Sequence, residues 1–141
     1  MKIVVPVDGS DPSLRAVKHA LAMAKAARSA EILLVTVQNM VALGASDIGV
    51  LDPSLVVQAA RRNGEKALRR AIALAKAAKI RFSTRNEMGA IAETVARIAR
   101  KEKADQIVMG TRGLGGVRGL LLGSVTTQLV HLATVPVTLV K

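Results

Sequence analysis

Cysteine is absent from the 141 residues, tryptophan and tyrosine are absent too, and Phe82 is the single aromatic side chain. Without thiols there is no disulfide framework and no thiolate metal site, although this says little about compartment. Without aromatics there is no platform of the kind on which single-stranded nucleic-acid binders stack successive bases. Carboxylates are scarce, 10 against 21 Lys and Arg, for a net charge of +11. No apolar run approaches the roughly 18 residues of a membrane span. The opening MKIVVPVDGS is too short for a secretory signal core. A cytoplasmic location is therefore the expectation, with no membrane partner.

So basic a balance favours polyanions. The cations sit mostly on helical patterns, as in Arg61, Arg62, Lys66, Arg69 and Arg70, and the plainest reading is a solvated helix face. With no stacking platform, nucleic acid is not the expected partner. The same surface would help attract a multiply charged nucleotide.

What is present is an alternation of short β-type runs with longer helical patterns, half of all residues being hydrophobic. A chain of this length buries about 70% of its unfolded surface, so residues 1–141 are read as one domain. The alternation predicts an α/β fold, a parallel sheet with crossover helices. Strands are expected at Lys2 to Val7, Glu31 to Val37, Ile80 to Arg85, Asp105 to Met109 and Val135 to Val140. Polar residues interrupt the third of these and mark it as the most exposed, and Pro136 argues for an edge in the last. Helices are expected at about Asp11 to Arg28, Pro53 to Ala78, Gly89 to Glu102 and from Ser124, with Ser10 or Asp11 capping the first. Gly64 weakens the second helix locally. Gln38 to Asp52 has no clear periodicity and reads equally as a lid or partner-contact loop and as an ordinary surface loop.

The chemistry is concentrated in the last third. Gly110-Thr111-Arg112-Gly113 is followed by nine residues, Leu114 to Leu122, and then by Gly123-Ser124. Ile107 to Met109 read as a buried strand before it, and Val125, Leu129 and Leu132 repeat at helical spacing after it. A glycine-bearing loop between a strand and a helix N-terminus cradles phosphate, through converging N–H groups, close backbone approach and the helix dipole. That dipole contributes only about 0.3–1 kcal/mol at an exposed site, so several backbone donors must act together. Asp8, at the end of the first strand, either accepts from ribose or adenine donors, holds a metal, or simply caps the turn into the first helix. Arg112 and Arg118 lie in the loop and either clamp phosphate or face solvent. His19 and His131 have no second metal-type residue at ligand spacing. Met23, Met40 and Met88 read as hydrophobic filling. Neither a GxxxxGK[ST] loop nor a GxGxxG fingerprint is present.

These residues resemble the universal stress protein family, in its ATP-binding branch. The match runs from Ile3 to Val7 into Asp8-Gly9-Ser10, through Ala104 to Gly113, and closes with Gly123-Ser124-Val125-Thr126 and Val135-Pro136-Val137. The family's nucleotide signature is Gly, two residues, Gly, nine residues, Gly, then Ser or Thr, which Gly110, Gly113, Gly123 and Ser124 meet. The resemblance implies an open doubly wound five-stranded sheet of order 3-2-1-4-5 with helices on both faces, adenine-nucleotide alpha-hydrolase-like, with ATP across the strand C-termini. It implies adenine near Pro6, Val7 and Val37 with Met109 beneath, and ribose and phosphates at Asp8, Gly110, Gly113, Gly123, Ser124, Val125 and Thr126. Mg or Mn would come with the phosphates, Asp8 being its possible indirect ligand. A homodimer through Val135 to Val140 is also implied. One departure is Ala90, where many relatives have Asp or Asn after the glycine that opens the third helix.

The leading expectation is an ATP-binding, dimeric, nucleotide-responsive stress-response switch, because no constellation declares the base and cation that fast hydrolysis needs. At most it would be a slow ATPase. The alternatives are a partner-dependent ATP-hydrolysing or nucleotidyl-transferring enzyme, a binder of another adenine nucleotide such as cyclic AMP, and a polyanion binder acting through the basic helices.

Overall fold

The computed structural model describes residues 1–27, 29–39, 52–113 and 122–141. Most of the expected loop from Gln38 to Asp52, with Met40, and the segment 114–121, with Arg118, lie outside these residues. So does Arg28.

Five strands are laid down in the sequence, β1 (Lys2–Pro6), β2 (Glu31–Gln38), β3 (Phe82–Met88), β4 (Gln106–Gly110) and β5 (Val137–Val140). They alternate with the helices α1 (Asp11–Ala26), α2 (Pro53–Ala78), α3 (Ile91–Lys101) and α4 (Ser124–Leu132). All pairings are parallel and the sheet order is β3-β2-β1-β4-β5, the doubly wound α/β architecture expected.

Alternation along the central strands divides the core in two. Ile3, Val5, Ile32, Leu34 and Val108 point to one face, where α1 packs Leu14, Val17 and Leu21 and α2 packs Leu68, Ala71 and Ala75. Val4, Leu33, Val35, Ile107 and Met109 point to the other, under Val95 and Ile98 of α3 and Leu129 of α4. Strands buried on both faces need near-continuous Val, Ile and Leu, which KIVVP and EILLVTVQ supply. Leu132, at helical spacing from Leu129, remains 44% exposed.

Several boundaries differ from expectation for local reasons. β3 begins two residues late because Lys79 turns left-handed (φ 56°) at the end of α2 and Ile80 donates back to Ala75 O at 3.4 Å. It then runs on to Met88, paired with β2 at seven successive positions despite its polar composition. α1 ends at Ala26 and β5 starts at Val137, just after Pro136, whose carbonyl accepts from Ile107 N at 2.9 Å. α3 starts at Ile91, since Gly89 has φ +146° and Ala90 caps the helix without a side-chain bond. Gly64 in α2 has a packing reason. A Cβ there would lie 2.0 Å from Asn86 Nδ2, which donates to Ala60 O and Arg61 O at 3.3 and 3.4 Å.

Candidate functional site

Strand order reverses between β1 and β4, and open α/β sheets bind ligands outside the strand C-termini at that point. β1 pairs with β2 at five positions, and Val7 N extends the contact to Val35 O at 2.7 Å. With β4 it pairs only at Ile3–Gln106 and Val4–Ile107. Beyond Val4 the two strands part, and a crevice opens between their ends.

One wall of this crevice is apolar, formed by Val35, Val37 and Met109 from the sheet with Ile91 and Val95 from α3. Pro6, Val7, Asp8, Gly110, Arg112 and Thr126 line the rest, with Ser13. The enclosed space is about 80 Å³. Pockets for drug-sized ligands run from about 300 Å³, so the described residues make the floor of a site rather than a closed chamber.

Asp8 is held by the turn it introduces. Its Oδ1 accepts from Ser10 N at 2.9 Å and Ser10 Oγ at 2.5 Å. Ser10 in turn caps α1, accepting from Ser13 N at 3.3 Å, which decides between the two expected caps. Oδ2 faces the glycine loop, and a Cβ on Gly113 would lie 2.5 Å from it. Gly110 meets α1 directly, since a Cβ there would come 2.8 Å from Pro12 C and O.

The N-terminus of α4 is tied to the end of β4. Gly123 N donates to Thr111 O at 2.8 Å, and the buried Thr126 hydroxyl lies 3.2 and 3.3 Å from Gly110 O and Thr111 O, to which it donates. Gly123 is the N-cap, at φ −74° and ψ 160°, and makes no side-chain cap bond. The N–H groups of a helix's first turn have no intrahelical acceptor. Ser124, exposed, and Val125, half-buried, open that turn.

Seven of the expected site residues therefore share one lining: Pro6, Val7, Asp8, Val37, Met109, Gly110 and Thr126. Gly113 and Gly123 join through their approaches to Asp8 and to Arg112 Cα, while Ser124 and Val125 are brought only to the adjoining helix turn. Arg112, open between two readings in the sequence, is exposed and on the lining. Ser13, Val35, Ile91 and Val95 were not anticipated there. Ile91 and Val95 stand one helical turn apart, a spacing that marks a shared face but not what the face looks onto. Among the described residues no group of three or more His, Cys, Asp and Glu is placed to hold a metal, and no helix is long and apolar enough to cross a membrane.

Comparison with known proteins places this architecture. The universal stress protein family model matches residues 1–141. Universal stress protein MJ0531 of Methanocaldococcus jannaschii is 38% identical over 142 residues, covering 99% of this chain and 81% of that protein. Among solved structures, protein MJ0577 superposes with a TM-score of 0.83 at 25% identity, covering 99% of this chain and 94% of that one. A universal stress protein in complex with cAMP superposes with a TM-score of 0.69 at 30% identity, covering 99% and 95%. The chain belongs to the universal stress protein family.

Proposed function

We propose that this universal stress protein binds an adenine nucleotide, ATP foremost, across the C-terminal ends of β1 and β4. It acts there as a dimeric nucleotide-responsive switch in a stress response, with little or no hydrolysis. The observation that carries this reading is Gly123. Its backbone conformation is open to any residue, and among the described residues a Cβ would meet no atom closer than 3.6 Å. Neither strain nor packing within the described protein asks for glycine. A missing side chain at the mouth of α4 leaves room for an incoming group, to which the first turn offers N–H donors.

The rest of the crevice suits the rest of the ligand. Val35, Val37, Met109, Ile91 and Val95 make an apolar wall for a base, and Asp8 would accept from ribose hydroxyls. Mg or Mn would be held by Asp8, directly or through water. Because no other carboxylate lines the crevice among the described residues, phosphate oxygens and water would complete the metal's shell. Asp8 Oδ1 already serves Ser10, which favours binding over turnover. The relative in complex with cAMP supports an adenine nucleotide as the ligand class and makes cyclic AMP the second candidate.

The dimer would form through Val135 to Val140, since β5 is a sheet edge and Val130 and Leu132 of α4 are 45% and 44% exposed. Light scattering on the purified chain tests it, a monomeric mass being the contrary result. For the ligand, the protein is purified without added nucleotide, denatured, and the released small molecules identified by mass spectrometry. Near-stoichiometric ATP is expected; recovery of another nucleotide keeps the crevice and changes the switch. An empty protein that also fails to bind ATP with Mg in a direct titration overturns the reading. Turnover of about 1 per second or faster would overturn the binding-only part.

A further inference from the structure

The face of the sheet covered by α1 and α2 gathers most of the molecule's net positive charge, +7 of +11. The two helices carry nine Lys and Arg against two carboxylates, Asp11 and Glu65, whereas α3 and α4 carry three against one. Both basic helices cover the same side of the sheet, so their cations form one field rather than separate solvated stripes. Between them runs a groove of about 580 Å³. Its floor is Leu14 of α1 with Ala73 and Leu74 of α2, and its rims carry Arg15, Lys18 and Arg70 against the single carboxylate of Asp11. Two rim cations are tethered: Arg70 Nη1 donates to Asp11 Oδ1 at 3.2 Å, and Arg15 Nε donates to Lys141 O at 2.8 Å. Tethering lowers the entropy lost when a partner binds.

We propose that this groove docks an acidic amphipathic segment of a partner protein, its apolar side chains on the Leu14–Ala73–Leu74 floor and its carboxylates against Arg15, Lys18 and Arg70. A helix laid in a groove uses this combination of apolar seam and charged rim. Charge complementarity selects the occupant. A second copy would bring the same cations face to face. A nucleic-acid backbone would use the rim and leave the apolar floor idle, and the chain has no aromatic platform to hold its bases. A flat anionic membrane surface would touch the rims and not enter the groove. The proposal does not depend on nucleotide binding at the crevice.

The test uses the full chain and a fluorescein-labelled peptide of about 15 residues, with leucine at every third and fourth position and glutamate elsewhere. Binding is read by fluorescence anisotropy. Arg15→Glu with Lys18→Glu, and separately Ala73→Glu, should each weaken it about tenfold or more. These three positions are exposed, and thermal melts confirm that the variants fold. Arg100→Glu with Lys101→Glu makes the same change of net charge on α3 and should leave binding within about twofold. Three results would overturn the proposal. One is equal loss in the α3 control, which would reduce the effect to net charge. Another is equally tight binding of poly-L-glutamate, which would leave the floor without a role. The third is displacement of the peptide by duplex DNA whose own binding is lost in the same groove variants, which would make the face a nucleic-acid surface.

Discussion

The three glycines of the loop signature should fail in three different ways when each is replaced by alanine. At Gly110 the new Cβ would sit 2.8 Å from backbone C and O of Pro12, so the end of β4 and the first turn of α1 must separate. Overpacking of this kind costs about 1–3 kcal/mol, offset by about 0.4–1 kcal/mol from the stiffer unfolded chain. A net loss of about 1–2 kcal/mol corresponds to a Tm fall of about 3–8 °C in a domain of this size. At Gly123 the nearest described neighbours of a Cβ are ordinary contacts at 3.6 Å. Alanine is a poorer N-cap than glycine by about 0.5–1 kcal/mol, and the unfolded-chain term cancels most of that, so Tm should move by about 2 °C or less. Nucleotide affinity should nonetheless fall about tenfold or more, equivalent to about 1.4 kcal/mol, because the methyl group occupies the approach to the first turn of α4. At Gly113 the clash is 2.5 Å with Asp8 Oδ2, the end of a side chain, so Asp8 gives way: stability holds and binding weakens. Differential scanning fluorimetry and calorimetric ATP titration on the same preparations separate stability from binding. An unchanged Tm for Gly110→Ala would refute the packing argument, and parental ATP affinity in Gly123→Ala would refute the phosphate reading.

Ser10→Ala removes both the cap of α1 and the hydroxyl that holds Asp8 Oδ1; chemical denaturation should show a loss of about 1 kcal/mol, with nucleotide affinity reduced alongside. Asn86→Ala should destabilise by removing two bonds to carbonyls of α2, and in that background Gly64→Ala should stabilise by about 0.5–1 kcal/mol through helix propensity. A double-mutant cycle with no coupling between the two sites would contradict the 2.0 Å contact. The Lys2 ammonium, which donates to Glu102 Oε2 at 3.0 Å, holds the Glu102 carboxyl below the usual carboxylate range against the opposing pull of burial, with Arg85 adding to the lowering. With the folded value below the unfolded one near about 4.3, the stabilisation is complete above that pH and drains away as pH falls through the folded value. Melts of the parent and Glu102→Gln should differ at pH 6–8 and converge in acid; a gap that widens in acid would reverse the sign.

The interior of the sheet was readable because its information is local. A strand buried on both faces favours apolar residues at successive positions, so β1, β2 and β4 stand out as runs of Val, Ile, Leu and Met. β3 was not readable to its end because what keeps it a strand lies elsewhere. Its backbone follows β2 through Met88, and its charged side chains find partners on α3 and its C-cap: Arg85 pairs with Glu102, the cap, and Glu87 pairs with Arg97. Nothing within Asn86-Glu87-Met88 announces those contacts. Gly64 is the same case in a helix, a residue that looks like a weakness until Asn86, from another element, is seen against it.

The crevice was legible from its glycines, yet one letter in the signature hides three physical demands. Gly110 is small because α1 starts beside it, and Gly113 because Asp8 does. Both demands belong to the described protein whether or not a ligand enters, so a chain could keep them for the fold alone. Gly123 is different: its conformation is ordinary and its described neighbours leave room. Of the three, it alone has a small size that no described contact explains, and the weight of the nucleotide reading rests there rather than on the motif as a whole. A relative with alanine at the position of Gly123 and both other glycines intact should fold as this chain does and bind nucleotide poorly. One with alanine at the position of Gly110 should first show its defect in stability.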